Sequence, residues 1–345
     1  MSQKITYIKD FINGERVKDI FLIADAQMRE SRNGPFWNLC LQDKSGTVEA
    51  KIWSPLSQSF ASLEAGMFIV AGGLVGSYRD KAQLTIEMLE VLDPEYNSLD
   101  ITDFLPSSPE KPEDMMQDLD YLIAEHMVHP PWKKFCRKVL KDEEIYKRLL
   151  NATGAKTVHH AYVGGLLEHT LSVARLCMSI CDNYPDVDRQ VVLAAAIFHD
   201  IGKAWELTGG LTNDFTDEGR LLGHIHLGVE IIDPFLQKSK DLDAKLKLHL
   251  KHLILSHHGE LAFGAPKRPK TPEAFILHFA DNIDAKMNTV FAELDKLEGT
   301  GANWTPYQRF LDRYLYKPEK SPDNPSSKCD LKKTEVAQCS LPLKG

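Results

Sequence analysis

Thirteen histidines occur in this 345-residue chain, all of them after residue 125, and several stand where an apolar run turns polar. His199 and Asp200 close the unbroken apolar stretch VVLAAAIF (191–198) and are followed by Ile201-Gly202-Lys203. His169 stands in GGLLEHTLSVA, His224 in LLGHIHLG, His257 and His258 in LILSHHGE, and Asp281 in HFADNIDAK. Ionisable groups at the ends of buried helices persist when they are paired or bind a metal. In chain order the set is His, His-Asp, His, His-His, Asp, each member on its own predicted helix or helix end, so helix packing can converge them. Imidazole and carboxylate without thiolate suit borderline first-row divalent ions. Asp200 is the natural bridge between two such ions, because a carboxylate offers two oxygens whereas an imidazole serves one ion. Two ions about 3.5–4 Å apart form a recurring arrangement for hydrolysing phosphodiesters. Lys203, three residues beyond Asp200, falls near the same helix face and is placed to stabilise charge developing on a phosphate.

These residues need a helical scaffold, and the second half of the chain supplies one. Segments near 115–128, 132–141, 143–151, 163–184, 187–199, 222–238, 242–257 and 272–296 carry apolar residues at helical spacing. A domain of residues 113–316 is expected to be an all-α bundle. His159 and His160, about ten residues before His169, are candidate phosphate contacts, and Lys267 and Arg268 in GAPKRPK form a basic loop able to guide a polyanionic substrate.

Residues 1–95 read differently, as five strands at 16–28, 36–41, 47–53, 67–75 and 83–91, with helical character between the third and fourth, at 55–65. That order predicts an OB-fold barrel, whose strand face and loops commonly bind single-stranded nucleic acid. The run LQDKSGTVEAKIW resembles the second and third strands of nucleic-acid-binding OB domains. Candidate base-stacking residues are Phe36, Trp37, Trp53 and Tyr78, with Arg79 near the phosphates. Between the two domains, residues 96–112 hold Pro106, Pro109 and Pro112 and read as a linker, while 317–345 read as a disordered tail. The expected fold is therefore multidomain: an N-terminal all-β OB-fold barrel followed by an all-α helical bundle.

Composition narrows the partners. A net charge of −8 excludes a protein that coats nucleic acid through bulk positive charge, but not a nuclease whose ions supply the charge. No apolar run reaches the ~20 residues that a membrane-spanning helix needs. The N-terminal residues lack the apolar core of a secretory signal. Six scattered cysteines without a CxxC pair fit a reducing compartment, so a cytoplasmic location is expected.

Residues 155–290 resemble the HD superfamily of metal-dependent phosphohydrolases, an all-α fold named for its His-Asp pair. The His…His-Asp…Asp core of that superfamily is matched by His169, His199, Asp200 and Asp281. The further histidines of its two-metal members are matched by His224 and by His257 or His258. Combined with the OB segment and HHAYVGGLLEHTLSVA, the pattern resembles the YhaM-type 3′–5′ exoribonucleases over roughly residues 1–315. The resemblance implies an enzyme holding two divalent ions, Mn2+ first, with Co2+, Fe2+, Ni2+ and Mg2+ as alternatives. It implies hydrolysis of single-stranded RNA, with single-stranded DNA as a second substrate, to nucleoside 5′-monophosphates, and it is compatible with a homo-oligomer. Two other readings stay open: a phosphohydrolase of small nucleotides, for which an OB domain is superfluous, and a non-catalytic RNA-binding protein, for which an intact ligand set is superfluous.

Overall fold

The computed structural model describes residues 4–78, 81–92, 99, 103–105, 108, 110–155, 162–209, 213–297, 301–319 and 321. Five strands come first: β1 (Arg16–Ser31), β2 (Gly34–Asp43), β3 (Gly46–Ile52), β4 (Phe68–Tyr78) and β5 (Lys81–Leu92). They close into a barrel in the order β1-β2-β3-β5-β4, with β3 and β5 parallel and the other pairs antiparallel. This is the five-stranded barrel of the OB-fold. β1 serves two neighbours, pairing with β4 through residues 16–22 and with β2 through 22–31, and its register shifts between Ile23 and Asp25. Such an irregularity bends a strand enough to turn a barrel corner.

Strand alternation decides what fills the barrel. On β2, Trp37, Leu39 and Leu41 point inward and join Phe21, Ile23, Ile52, Ile69 and Leu84 in the barrel core. The helix expected at 55–65 is a single 3-10 turn, Leu56–Ser59. The Ser57 hydroxyl donates to the Pro35 carbonyl at 2.6 Å and ties that turn to the start of β2. The chain then leaves in extended conformation at Phe60, and Leu63 drops into the core instead of continuing a helix.

Within the segment expected as a linker, residues 103–105 pack on the barrel. Phe104 and Leu105 are buried with Ile20, Leu22 and Phe68, and the Phe68 and Phe104 rings meet edge to face at 4.9 Å. The Asp103 carbonyl accepts the Lys44 main-chain N–H at 3.0 Å, and its carboxylate accepts the Lys44 ammonium at 2.7 Å.

The helices are α1 (Pro112–His126), α2 (Pro130–Leu140), α3 (Glu143–Asn151), α4 (Gly165–Cys181), α5 (Arg189–Phe198), α6 (Lys203–Glu206), α7 (Asp217–Lys238), α8 (Ala244–Ser256) and α9 (Pro272–Asp295). Asp142, Asp188, Thr216 and Asp243 cap α3, α5, α7 and α8, each accepting one or more first-turn N–H groups. α5 is the central rod. Residues 191–198 are all buried, and its three alanines let α4 and α8 pack closely on either side. Around it lies one core that includes Leu119, Trp132, Phe135, Leu167, Ile232, Leu253 and Leu277.

Residues Met1–Thr289 form one compact unit and Val290–Gly345 a second. In the second, two antiparallel bridges join Trp304 to Tyr316 and Gln308 to Arg313. The tail expected from 317 onward lies, apart from 317–319 and 321, outside the described residues. No helix among the described residues is long and apolar enough to cross a membrane.

Candidate metal centre

The centre is assembled where helices end. His199 is the C-cap of α5, and its Nδ1 bonds back to the Ala196 carbonyl at 2.9 Å. His257 is the C-cap of α8 and makes the same bond to the Ile254 carbonyl at 2.7 Å. Carbonyls in the last turn of a helix lack intrahelical partners, so each imidazole satisfies one of them while fixing its own ring. Because a carbonyl only accepts, Nδ1 carries a proton, and in the neutral ring Nε2 is then the atom free to bind an ion.

The same arrangement recurs at the other histidines. His169 on α4 directs Nδ1 to Asp284 Oδ2 at 2.7 Å, and Asp284 also accepts the Ser172 hydroxyl. His224 on α7 directs Nδ1 to Glu206 Oε1 at 3.2 Å, and His258 directs Nδ1 to the Phe263 carbonyl at 2.8 Å. Outward-tied Nδ1 atoms leave five Nε2 atoms for the centre, as metal-binding imidazoles do.

Asp200 lies between two groups. On its Oδ2 side are His169 Nε2 and His199 Nε2, both at 3.4 Å. Asp281 Oδ1 lies 3.2 Å from the first of these nitrogens and 3.9 Å from the second. The two imidazole nitrogens approach each other at 3.2 Å. On the Oδ1 side are His257 Nε2 at 3.4 Å and His224 Nε2 at 3.5 Å. Ligand atoms of His169, His199 and Asp200 lie within 4.8 Å of one another, and so do those of Asp200, His224, His257 and His258.

Three atoms on the Oδ1 side, Asp200 Oδ1, His224 Nε2 and His257 Nε2, are buried without any hydrogen-bond partner among the described residues. Orphaned buried polar atoms are costly. Two imidazole nitrogens and a carboxylate oxygen converging in this state fit a divalent cation. The donor set, all nitrogen and oxygen, suits first-row ions.

The electrostatics of the side chains follow the same division. Burial works against the charge on Asp200, yet the Lys203 ammonium and His199 hold its carboxyl well below the usual range. Asp281 is likewise held low against burial, chiefly by its hydrogen bond to His169. Burial opposes protonation of His169, but hydrogen bonds to Asp200, Asp281 and Asp284 outweigh it and raise its pKa well above the ordinary value. At His258, burial followed by the neighbouring His257 and His224 pushes the pKa down to about 4. Burial also lowers that of His257. The imidazoles of His257 and His258 are thus ready as neutral donors.

Lys203 reaches Asp200 Oδ2 at 2.6 Å. It also lines a cavity of about 230 Å³ with the polar Lys147, Arg148, Asn151, Thr153 and Thr208 and the apolar Ala152, Ala204 and Leu207.

The structure thus brings together His169, His199, Asp200, Lys203, His224, His257, His258 and Asp281. Glu206 and Asp284 join them without having been singled out in the sequence. Their signal was faint: Asp284 follows Asp281, and Glu206 follows Lys203, by the three residues that place side chains on one helix face.

The nucleic-acid candidates divide. Trp37 is corrected: it is 6% exposed inside the barrel and has no face to offer a base. Its neighbour Phe36 points outward and stacks on Trp53 at 4.7 Å with the planes 28° apart. Trp53 and Tyr78 are 41% and 52% exposed, with Lys51 Nζ 5.6 Å from the one ring and 5.2 Å from the other. Arg79 and His160 lie outside the described residues. Lys267 is exposed, whereas Arg268 is engaged by Glu260 at 2.8 Å, which offsets its charge.

Comparison with known proteins identifies the family. Residues 166–286 match the HD domain family. The chain is 35% identical over 306 residues to the 3′-5′ exoribonuclease YhaM of Bacillus subtilis (strain 168), the alignment covering 88% of this chain and 96% of that protein. Among solved structures, the second OB-fold domain of replication protein A from Methanococcus maripaludis aligns over 28% of this chain and 98% of that chain, at 15% identity and a TM-score of 0.23. The single-stranded DNA binding protein from Thermus aquaticus aligns over 25% of this chain and 43% of that chain, at 17% identity and a TM-score of 0.22.

Proposed function

This chain belongs to the YhaM family of 3′-5′ exoribonucleases, and from that premise we propose that it shortens single-stranded RNA from the 3′ end with two divalent ions held across Asp200. The observation that carries the reading is the sharing of Asp200: each of its carboxylate oxygens faces its own set of imidazoles. His169, His199, Asp281 and Asp200 Oδ2 would hold one ion; His224, His257, His258 and Asp200 Oδ1 would hold the other. Mn2+ is the first choice for both positions, and Co2+, Fe2+, Ni2+ and Mg2+ are the competitors to test. Such a pair would supply a water acidic enough to act near neutral pH and would polarise the phosphate.

The chain's own residues do the rest. The carbonyl and carboxylate partners on Nδ1 hold each ring at a fixed angle, so little reorganisation is needed when substrate binds. Lys203, with its ammonium at the edge of the centre, stabilises negative charge accumulating on the phosphate. In the recess behind it, Asn151, Thr153 and Thr208 suit ribose hydroxyls, while the charges of Lys147 and Arg148 are offset by Glu143 and Glu144. On the barrel, Phe36, Trp53 and Tyr78 offer stacking faces to bases and Lys51 a charge to the backbone, a sequence-tolerant mode of holding a single strand.

The test uses the full chain, a 5′-labelled single-stranded RNA and a panel of divalent ions. The expected result is a ladder of products losing one nucleotide at a time from the 3′ end, with nucleoside 5′-monophosphates released. Asp200→Ala is expected to lower turnover at least about 10³-fold while RNA is still bound. Absence of 3′ shortening with every ion, or full activity of the variant, would sink the reading. Single-stranded DNA of the same sequence, run in parallel, measures sugar preference.

A further inference from the structure

We infer that Glu206 is the positioning residue that governs loading of the second metal position, the one on the Asp200 Oδ1 side. The inference rests on the two-ion reading above and concerns a side chain that contacts neither ion position directly.

The two positions are unequal. The first draws on two carboxylates, Asp200 and Asp281, together with two buried imidazoles. The second draws on three imidazoles and only the shared Asp200. A dication there would be short of negative charge, and the carboxylate that supplies it from behind an imidazole is Glu206. A carboxylate accepting the Nδ1–H of a ligand histidine fixes the ring and raises the basicity of the other nitrogen.

The backbone makes Glu206 more than a bystander. Gly223 interrupts α7 with φ 74° and ψ 157°, so a new helical run begins at His224. A starting helix has N–H groups without intrahelical partners. Glu206 Oε1 accepts the main-chain N–H of His224 at 3.0 Å and its Nδ1–H at 3.2 Å. One carboxylate thus caps the second run of α7 and aims His224 Nε2 at Asp200 Oδ1.

Glu206 is itself fixed by the turn that carries Asp200. Its N–H donates to the Gly202 carbonyl at 2.8 Å, and its carbonyl accepts from the Thr216 N–H at 2.9 Å. Gly202 packs so closely on α7 that a Cβ there would lie 2.0 Å from the His224 carbonyl oxygen. Asp200, Glu206 and His224 are therefore held in one rigid crossing.

The experiment counts ions rather than turnover. Wild type and Glu206→Gln are dialysed against graded Mn2+, bound metal is measured by mass spectrometry, and spin-coupled Mn pairs are read by electron paramagnetic resonance. Wild type is expected to hold two ions and give a coupled spectrum. Glu206→Gln is expected to keep the first ion at wild-type affinity and to bind the second about 10- to 100-fold more weakly. Its coupled spectrum and its kcat should return at raised Mn2+, with KM for RNA unchanged. Retention of the first ion certifies that the fold is intact. Should Glu206→Gln fail to fold, Glu206→Asp, which keeps the charge but shortens the reach, is read by the same criteria. Two ions bound to the variant with wild-type affinities would overturn the inference. A wild-type protein that holds one ion would overturn the two-ion reading, and the inference with it.

Discussion

Lys203 Nζ lies 2.6 Å from Asp200 Oδ2, on the side of that carboxylate that faces His169 and His199. The ammonium thus occupies ground that a dication would otherwise claim alone, and its removal has effects of opposite sign. For Lys203→Met we expect the metal-free protein to lose about 3–5 kcal/mol of stability, since a buried carboxylate forfeits its counter-charge. Affinity for the first Mn2+ should rise, because the repelling charge is gone. Turnover of RNA should fall about 10²–10³-fold, because charge on the phosphate is no longer stabilised. Chemical denaturation in chelator, Mn2+ titration and single-turnover cleavage measure the three quantities separately.

On the barrel, Trp53 and its stacked partner Phe36 form the outward platform, while Trp37 lies inside. Trp53→Ala is expected to weaken single-stranded RNA binding by about 1–3 kcal/mol per stacked base lost. Hydrolysis of a small diester such as bis(p-nitrophenyl) phosphate should be unchanged. Trp37→Ala should do the reverse, lowering barrel stability by about 3–5 kcal/mol. Fluorescence anisotropy with labelled RNA and thermal melts distinguish the two outcomes.

Acid should loosen the metal-free protein through His258. Burial, then His257 and His224, hold its folded-state pKa down to about 4, against about 6.5 for an unperturbed imidazole. Between those values the unfolded chain takes up a proton that the folded chain refuses, so stability falls as pH drops through the window. His169 acts with the opposite sign: its raised pKa adds stability below about 6.5 that is lost as pH climbs through the folded value. In chelator, the melting temperature of wild type should fall from pH 6.5 to 4.5, and that of His258→Asn should fall less. Equal slopes would show that His258 is already protonated in the folded state.

The ligand residues were legible because their types are conspicuous at the ends of apolar helices, as with His199 after 191–198 and His257 after LILS. Which of His257 and His258 faces the centre was not legible, and the structure directs both toward it. Glu206 and Asp284 were harder to see, because each acts through one histidine brought to it by packing, 18 and 115 residues away in sequence. The interrupted α7 escaped for a related reason. Its apolar spacing starts near 222, whereas Thr216 caps the helix five residues or more before and Gly223 breaks it. Trp37 was misread despite an available signal: Leu39 and Leu41 share its strand parity, so the same alternation that buries them buries it, and turns Phe36 outward.

Phe104, a residue from outside the five strands, covers the outer face of β1 and β4, where Ile20, Leu22 and Phe68 point away from the barrel core. Autonomy in solution therefore does not coincide with the last strand. A fragment cut at residue 95 would leave Ile20, Leu22 and Phe68 wet on its surface. The complementary fragment would carry Phe104 and Leu105 without a host, so both pieces would acquire adhesive patches of the kind that drives aggregation. Dissection of this enzyme for crystallisation or for isolated binding assays is better placed beyond Leu105, where the cut leaves that seal intact.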